Sequence, residues 1–241
     1  MTPQWVSHEL YPFDNHYVEI DCCRVYYVDE GVGPPLLLLH GNPTWSFLYR
    51  KHHHRPAPSV PLCSRRLPWI RPLDRRAGYG STPAEHAQVL ENLITFLALQ
   101  NITMMVHDWG GPIGFAVAGR HPQRFTVLVI GNTFAWTKSD LLTQVFSRTF
   151  RGPICGWLIL KRNLFVETIL PANVRMKRLQ SAVMDGYLGP LPTPESRKPQ
   201  YIFARQNSSQ QTMAGRSRAS TAATSHPTRA DPVANPRHRI P

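Results

Sequence analysis

Residues 104 to 118 read MMVHDWGGPIGFAVA, and this stretch determines the fold class that the sequence predicts. The apolar residues 103 to 106 predict a short buried strand, and residues 110 to 119 predict a glycine-rich helix directly after it. A further apolar run at 125 to 130 predicts a second buried strand. A strand, a helix and a strand in this order indicate a right-handed crossover in a parallel sheet, and therefore an α/β fold.

Asp108 lies in the turn between the predicted strand and helix. A tight turn that holds one reactive side chain above the edge of a sheet is the geometry of a nucleophile elbow. Gly110 and Gly111 would allow the close backbone approach that such a turn requires. Serine is the usual residue there, so an aspartate predicts a carboxylate nucleophile, which attacks saturated carbon and forms an ester intermediate.

Other predicted elements extend this fold along the chain. They are strands at 17 to 20, 24 to 29 and 35 to 39 and a helix at 83 to 97. From 138 to 188 the pattern is helical, with interruptions at Gly152-Pro153 and at Pro171.

Residues 40 to 45 read HGNPTW and follow the apolar strand predicted at 35 to 39. Such a loop would supply backbone N–H donors of the oxyanion-hole kind. The side-chain amide of Asn42 and the indole N–H of Trp109 would add two neutral donors. Two neutral donors near an aspartate nucleophile suit a departing halide ion.

The segments His40–Ser46 (HGNPTWS) and His107–Gly111 (HDWGG) resemble those of haloalkane dehalogenases, which belong to the α/β-hydrolase superfamily. The resemblance extends over roughly residues 10 to 50 and 78 to 203. Residues 163 to 172, NLFVETILPA, are also similar to a helix of the family's cap domain. The resemblance implies an α/β-hydrolase core with a mostly parallel, doubly wound sheet and a partial helical cap.

The same resemblance divides the chain into parts. It places the α/β-hydrolase core at 1 to 136 and the helical cap region at 137 to 203. Residues 204 to 241 have almost no Leu, Ile, Val or Phe. They lack the apolar area that would offset the entropy cost of ordering, so we expect a disordered or non-native tail.

The resemblance also implies a reaction. Asp108 would displace halide from a haloalkane, Asn42 and Trp109 would bind the halide, and water would hydrolyse the ester to an alcohol. The implied partners are a small halogenated hydrocarbon and water, with no cofactor.

In this family a histidine late in the chain activates the water and an acid orients it, and neither is identified here. Some members carry the acid after the strand that follows the elbow, where this chain has Asn132, an amide that cannot serve. The later histidines, His226 and His238, stand in unpatterned sequence with no strand before them. We interpret His107 as a structural residue beside the elbow and His121 as a cation at a helix C-terminus.

Residues 51 to 77 do not fit the pattern around them, because prolines and arginines stand where the family has a helix and a strand. Reading the codons in a shifted frame allows the D-x-x-G-x-G-x-S turn that the family carries after that strand. At Trp69 followed by Ile70 the shifted codon can only encode glycine, as the motif requires. We interpret 51 to 77 as frame-shifted and the tail after 203 as frame-shifted or truncated, so we expect the chain as written to be inactive and poorly folded.

Epoxide hydrolases share the sequence HDWGG, so an epoxide hydrolase is the alternative within the superfamily. Asn42 favours the dehalogenase. An epoxide hydrolase should carry cap tyrosines that contact the epoxide oxygen, and Tyr187 is the candidate in the cap region before Tyr201.

The net charge of +12 suggests an alternative of another class, a non-catalytic basic binding protein. Two segments carry nearly all of the excess charge, +6 at 51 to 77 and +5 at 205 to 241. Their arginines alternate with proline and serine rather than with stacking aromatic residues, so we expect no nucleic-acid binding.

Composition and sequence patterns also argue against membrane, secreted, disulfide-bonded and metal-binding proteins. The sequence has no apolar run long enough for a membrane span, and its N-terminus lacks the pattern of a secretory signal. The four cysteines have no metal or disulfide spacing, and three consecutive histidines at 52 to 54 would not point at one ion. We therefore expect a metal-free, reduced, cytoplasmic protein.

Overall fold

The computed structural model describes residues 5–20, 23–53, 62–63, 79–135, 148–150, 152–174 and 179–206. These residues belong to one compact unit, Met1–Ser209. The frame shift proposed for 51 to 77 and the tail after 206 fall almost entirely outside the described residues, and the interpretations made for them stay predictions.

The described residues form two sheets. β1 (Asn15–Ile20) and β2 (Cys23–Val28) pair antiparallel as a two-stranded ribbon. The second sheet is parallel and has the spatial order β4-β3-β5-β6. Its strands are β3 (Leu36–Leu39), β4 (Leu62–Cys63), β5 (Ile102–Asp108) and β6 (Phe125–Thr133). A parallel sheet alternating with helices confirms the predicted α/β class.

Helices connect and cover these strands. In chain order they are α1 (Arg50–His53), α2 (Pro83–Phe96), α3 (Gly110–Arg120), α4 (Pro153–Arg162), α5 (Leu170–Asn173), α6 (Ser181–Leu188) and α7 (Pro194–Gln206). Single turns of 3-10 helix lie at Ser46–Tyr49 and Pro122–Arg124, and a π-helical stretch lies at Phe165–Ile169. Within the described ranges, none of these helices has the length and apolar character needed to span a lipid bilayer.

The start of α2 is specified by its own sequence. Thr82 forms a capping box, in which its hydroxyl accepts from the N–H of Glu85 at 3.3 Å and the Glu85 carboxylate accepts from the N–H of Thr82 at 2.8 Å. Pro83 follows in the first turn, where no N–H is needed. The predicted apolar spacing becomes a buried face that includes Leu90 and Ile94.

One hydrophobic cluster joins the middle of the parallel sheet to α2 and α3. Its members include Leu37, Leu39, Leu90, Ile94, Met104, Val106 and Ile113. Full burial of a side chain of this size contributes about 1.5–3 kcal/mol to folding. The cluster therefore fixes the carboxyl-terminal ends of β3 and β5 relative to each other.

The prediction that residues 125 to 130 are buried is wrong. β6 forms over this run, but Val127, Leu128, Val129 and Ile130 are 49%, 44%, 41% and 63% exposed. β5 pairs with one side of β6, and no described strand pairs with the other. An apolar run predicts a strand, whereas burial also requires neighbours on that side of the sheet.

The helical pattern predicted from 138 to 188 appears, where it is described, as α4, α5 and α6. Gly152 and Pro153 begin α4, in agreement with the predicted interruption. Pro171 does not interrupt the helix, because the chain passes from the π-helical stretch directly into α5, whose first turn contains the proline. The change from π-helix to α-helix tolerates proline, because the N–H that proline lacks is not needed for a hydrogen bond in that first turn.

The sequence reasoning missed α7. This helix contains Pro199 and continues to Gln206, so residues 204 to 206 are helical rather than part of the expected tail. Ala204 is buried, which ties the end of α7 to the rest of the unit.

Candidate functional site

The parallel sheet brings two of the predicted loops together. β3 and β5 are neighbours in register, with Leu39 opposite Val106. β3 ends at Leu39 and β5 ends at Asp108, so the loop beginning at His40 and the turn at Asp108 lie at the same edge. Ligand sites of parallel α/β sheets form at this carboxyl-terminal edge.

Asp108 occupies the sharp turn between β5 and α3. Its φ of 50° lies in the left-handed region, which aspartate tolerates better than branched residues do. Trp109 follows as the N-cap residue of α3, and no side chain caps the helix there. The first N–H groups of α3 therefore face the turn, at the positive end of the helix dipole.

Three glycines make the close packing at this edge possible. A Cβ at Gly41 would overlap the Asp108 carboxylate, and a Cβ at Gly110 would overlap the backbone carbonyl of Leu39. A Cβ at Gly111 would overlap a side chain at the end of β6. Sequence reasoning singled out Gly110 and Gly111 and missed Gly41, although its place within HGNPTW was a signal.

Backbone N–H groups hold the carboxylate of Asp108. The N–H of Asn42 donates to its Oδ1 at 2.7 Å, and the N–H of Trp109 is a second donor. Burial raises the pKa of Asp108 above its ordinary value of 3.8, and the hydrogen bonds from Trp109 and Asn42 and the charge of His107 oppose this rise only in part. Asp108 is half-buried and its carboxylate is fixed in direction, which suits it to attack a carbon atom.

The side-chain amide of Asn42 is tied to α7. Its Nδ2 donates to the backbone carbonyl of Gln200 at 3.4 Å. An amide nitrogen carries two N–H bonds, so one is engaged by α7 and the other can donate to a ligand. The sequence predicted backbone N–H donors from this loop, and the N–H of Asn42 is one of them, whereas the role of its side chain as a halide donor stays a prediction.

Trp109 lies in an aromatic cluster. It is buried, and its ring packs against Phe134 and Phe203 with centroids 5.2 Å and 5.0 Å apart. Phe203 in turn packs against His86 of α2, with centroids 5.1 Å apart. These contacts fix the plane of the indole one residue beyond Asp108.

α7 is the part of the site that sequence reasoning missed. Its buried residues recur at helical spacing, at Ser196, Pro199, Gln200, Phe203 and Ala204. Gln200 contacts Asn42 and Phe203 contacts Trp109, so this face meets both loops. The helical spacing of these buried residues is present in the sequence. It was not recognised because charged residues stand between them and because one of them is a proline inside the helix.

Other residues singled out from the sequence lie around this edge. His107 is half-buried, and its Nδ1 has no hydrogen-bond partner among the described residues. His121 lies at the end of α3, as predicted for a helix C-terminal cation, and its Nε2 is 2.6 Å from Glu91 Oε1 on α2. Asn132 is exposed at the end of β6, with a φ of 42°.

The cap tyrosine expected of an epoxide hydrolase is engaged elsewhere. Tyr187 is buried, and its hydroxyl accepts from the guanidinium of Arg50 at 3.4 Å. Burial raises the pKa of Tyr187, and the charge and hydrogen bond of Arg50 partly oppose this. Tyr201 is half-buried beneath the guanidinium of Arg205.

Metal ligation has no support in the part of the chain that the structure describes. That part contains no group of three or more His, Cys, Asp or Glu side chains that could hold an ion. The side chains of the three histidines at 52 to 54, and His226 and His238, fall outside the described residues.

Comparison with known proteins agrees with this geometry. The family model of the alpha/beta hydrolase fold matches residues 34–149, which run from β3 past the elbow and β6. Haloalkane dehalogenase 2 of Mycobacterium tuberculosis is 38% identical over 197 residues, which cover 79% of this chain and 66% of that protein. The haloalkane dehalogenase of Sphingobium indicum is 32% identical over 205 residues, covering 81% of this chain and 69% of that protein.

A solved structure is also similar to this chain, and it too is a haloalkane dehalogenase. The crystal structure of haloalkane dehalogenase DbeA from Bradyrhizobium elkani matches with a TM-score of 0.75 at 25% sequence identity, over 88% of this chain and 76% of that one. This chain spans about two thirds of the length of the curated relatives it matches, 66% and 69% for the two named above.

Proposed function

The chain belongs to the haloalkane dehalogenase family of α/β hydrolases, and from this premise we propose that it displaces halide from haloalkanes with the carboxylate of Asp108. One carboxylate oxygen forms a bond to the carbon that bears the halogen. The carbon–halogen bond breaks and its electron pair leaves with the halide ion, so that an alkyl ester of Asp108 remains. Attack of water on the ester would release an alcohol and a proton and restore the carboxylate, with no cofactor.

The observation that carries the proposal is the placement of Asp108. It stands in a left-handed turn at the end of β5, with its Oδ1 fixed 2.7 Å from the N–H of Asn42. A carboxylate held by two backbone donors has one defined direction of attack and little freedom to be lost on reaching the transition state.

Halide release would use the neutral donors beside the nucleophile. Asn42 has one side-chain N–H beyond the one that Gln200 accepts, and Trp109 carries an indole N–H. Neutral donors stabilise the charge that develops on the halogen without forming an ion pair with Asp108. The packing of Trp109 between Phe134 and Phe203 favours this role, since it holds the indole in one orientation.

The proposal assigns no base to hydrolyse the ester. Asn132 stands where some family members carry the acid, and an amide does not replace a carboxylate there. His226 and His238 stand in sequence without a strand pattern. We therefore expect no turnover from this chain, and only its folded fraction to form the ester and stop, with about one halide ion released per folded protein molecule.

Reaction with 1-bromobutane tests the proposal. We expect about one equivalent of bromide and one butyl adduct by intact-protein mass spectrometry, mapped to Asp108 by peptide sequencing. A butyl group on another residue, or no adduct with folded protein, would overturn the proposal. Continued bromide release would keep the dehalogenase activity and show that a base is present after all.

A second reagent, 1,2-epoxybutane, tests the alternative within the superfamily. Opening of the epoxide would give a hydroxybutyl adduct without halide. Tyr187 is buried in a hydrophobic cluster with Phe47, different from the cluster that contains Trp109, so that side chain is poorly placed to donate to an epoxide oxygen at Asp108. We expect 1-bromobutane to label Asp108 faster, and faster labelling by the epoxide would favour an epoxide hydrolase.

A further inference from the structure

Thr133 is the last residue of β6, and its hydroxyl contacts the elbow from the neighbouring strand. The hydroxyl donates to the backbone carbonyl of Asp108 at 2.5 Å. Pro112, four residues after Asp108, cannot donate to this carbonyl, because proline has no N–H. A Cβ at Gly111 would lie 1.9 Å from the Thr133 hydroxyl oxygen, so this glycine leaves the space through which the hydroxyl reaches the carbonyl.

A β-bulge gives Thr133 this position. His107 is opposite Gly131 and Asp108 is opposite Thr133, so Asn132 is an extra residue in β6. Its φ of 42° lies in the left-handed region, which asparagine tolerates better than most residues. An extra residue changes which side chain faces the neighbouring strand, and such bulges are common next to active sites. Asn132 therefore has a backbone role at the position where some family members carry the acid.

The carbonyl that Thr133 contacts belongs to the peptide unit that also carries the N–H of Trp109. A peptide unit is planar and trans, so its C=O and N–H point in opposite directions, and fixing one of them fixes the other. The N–H of Trp109 donates to the carboxylate of Asp108. The Thr133 hydroxyl therefore controls the direction of one of the two backbone donors that hold the nucleophile.

We propose that Thr133 is a positioning residue for the reaction: its hydroxyl fixes the peptide unit between Asp108 and Trp109, so that the Trp109 N–H holds the carboxylate in its direction of attack. This inference rests on the proposed function. Thr133 acts through the elbow and not on the haloalkane. Its removal should therefore slow ester formation and leave the affinity for the haloalkane unchanged, since orientation of the nucleophile lowers the barrier of the chemical step.

β6 offers a matched pair of threonines for the test. Thr126 lies near the start of the strand, and its hydroxyl also donates to backbone carbonyls, those of Asn101 and Ile102, at 3.3 Å. Thr133→Val and Thr126→Val each replace a hydroxyl by a methyl group of similar size, and Thr133→Ser keeps the hydroxyl. A general weakening of the contact between β5 and β6 would affect both valine variants alike. The proposed role predicts an effect on the nucleophile in Thr133→Val alone.

The pKa of Asp108 gives a test that needs no reaction. Burial raises the pKa of this carboxyl, and the hydrogen bond from the N–H of Trp109 opposes the rise. Loosening of that bond should raise the pKa further in Thr133→Val, whereas Thr133→Ser and Thr126→Val should keep the parent value. Carbon-13 NMR of protein labelled at the aspartate carboxyls measures the titration, and the Asp108 signal is the one absent from Asp108→Asn. An unchanged pKa in folded Thr133→Val would overturn the inference.

Labelling by 1-bromobutane gives the second test, with rates expressed per folded molecule. At saturating reagent we expect Thr133→Val to form the Asp108 adduct about tenfold more slowly than the parent, with the same half-saturating concentration. Thr133→Ser and Thr126→Val should react at the parent rate. Equal rates in Thr133→Val and the parent, or an equal loss in Thr126→Val, would overturn the inference and leave the proposed function intact.

The two measurements also separate the inference from the proposed function. Absence of labelling in the parent, together with a raised Asp108 pKa in Thr133→Val, would overturn the proposed function and leave the positioning role of Thr133. If Thr133→Val does not fold, Thr133→Ser decides, because it keeps the hydroxyl on a smaller side chain. A parent pKa and a parent rate in Thr133→Ser would support the inference, and a raised pKa or slower labelling would overturn it.

Discussion

β5 and β6 are adjacent parallel strands with similar apolar sequences, and they have opposite environments. Met104 of β5 is 0% exposed, whereas its register partner Leu128 of β6 is 44% exposed. Val106 and its partner Ile130 differ in the same way, at 0% and 63%. Composition does not explain the contrast. β5 has β3 and β6 on its two sides, and β6 has a described neighbour only in β5.

The contrast shows that strand formation and strand burial, which an apolar sequence pattern suggests together, have different causes. A run of branched and aliphatic residues specifies an extended backbone through local sterics and side-chain shape. Burial of the strand depends on what other segments contribute. The proposed site lies at the ends of β3 and β5, on the well-packed side of the sheet, and it also depends on Phe134, the residue after β6, which packs against Trp109.

The largest expected effect concerns the end of β5. Asp108→Ala should abolish the butyl adduct and bromide release with 1-bromobutane, because it removes the attacking carboxylate. The matched control is Asp185→Ala, which removes an exposed acid from α6 and should leave labelling unchanged. Adduct formation in Asp108→Ala at the parent rate would show that another residue is the nucleophile and that the reaction does not occur at the end of the buried strand β5.

The second prediction tests the burial contrast itself. Met104→Ala should lower the free energy of unfolding by about 2–5 kcal/mol, the usual cost of a large-to-small change in a core. Leu128→Ala removes a similar volume from a side chain that already meets water, and should cost no more than about 1 kcal/mol. Urea denaturation of both variants measures the difference. Equal losses would mean that β6 is covered in solution by a segment beyond the described residues.

Sequence reasoning predicted the elbow because its determinants are local. The apolar strand, the aspartate and the glycines follow one another within MMVHDWGG, so a pattern of short range was sufficient. The contribution of α7 could not be read in this way, because Gln200 and Asn42 are 158 positions apart in the chain. Pro171 shows a local rule that fails, since a π turn absorbs the proline that was expected to end the helix.

The third prediction concerns the pH dependence of stability that arises from Asp108. Burial raises the pKa of this carboxyl, so the folded state binds the proton more tightly than the unfolded state. Stability is therefore lost as the pH rises from the ordinary value of 3.8 through the raised folded pKa, and it stays reduced above that pKa. Asp108→Asn removes the half-buried charge, so it should melt at a higher temperature than the parent at neutral pH.

The advantage of Asp108→Asn should disappear at a pH below 3.8, where the parent carboxyl is protonated in both states. Melting curves of the parent and the variant at several pH values measure this difference. A variant that is less stable than the parent at neutral pH would show that the N–H donors from Asn42 and Trp109 outweigh the cost of burial, contrary to the direction of the pKa shift.

The smallest expected effect concerns the entry to β6. Glu91 on α2 accepts from Arg120 Nε at 2.8 Å and lies 2.6 Å from His121 Nε2, so it holds the end of α3 just before β6 begins. Burial acts to raise the pKa of Glu91, but the hydrogen bonds and charges of His121 and Arg120 outweigh it and lower the pKa. The stability that this carboxylate contributes is present above the ordinary value of 4.5 and is lost as the pH falls through the lowered folded pKa.

Glu91→Gln should therefore cost about 0.2–1 kcal/mol at neutral pH, since the cluster is partly exposed, and less in acid. The loss should concentrate in β6, because β5 is held by the core while β6 depends on its connection to α3. Hydrogen exchange should show faster opening of β6 amides and unchanged β5 amides in Glu91→Gln. The control is Glu19→Gln, which removes an exposed partner 3.5 Å from Arg24 in the ribbon and should change neither strand. Equal acceleration in β5 and β6 would mean that the two strands open as one unit, and that the difference in their burial does not extend to their stability.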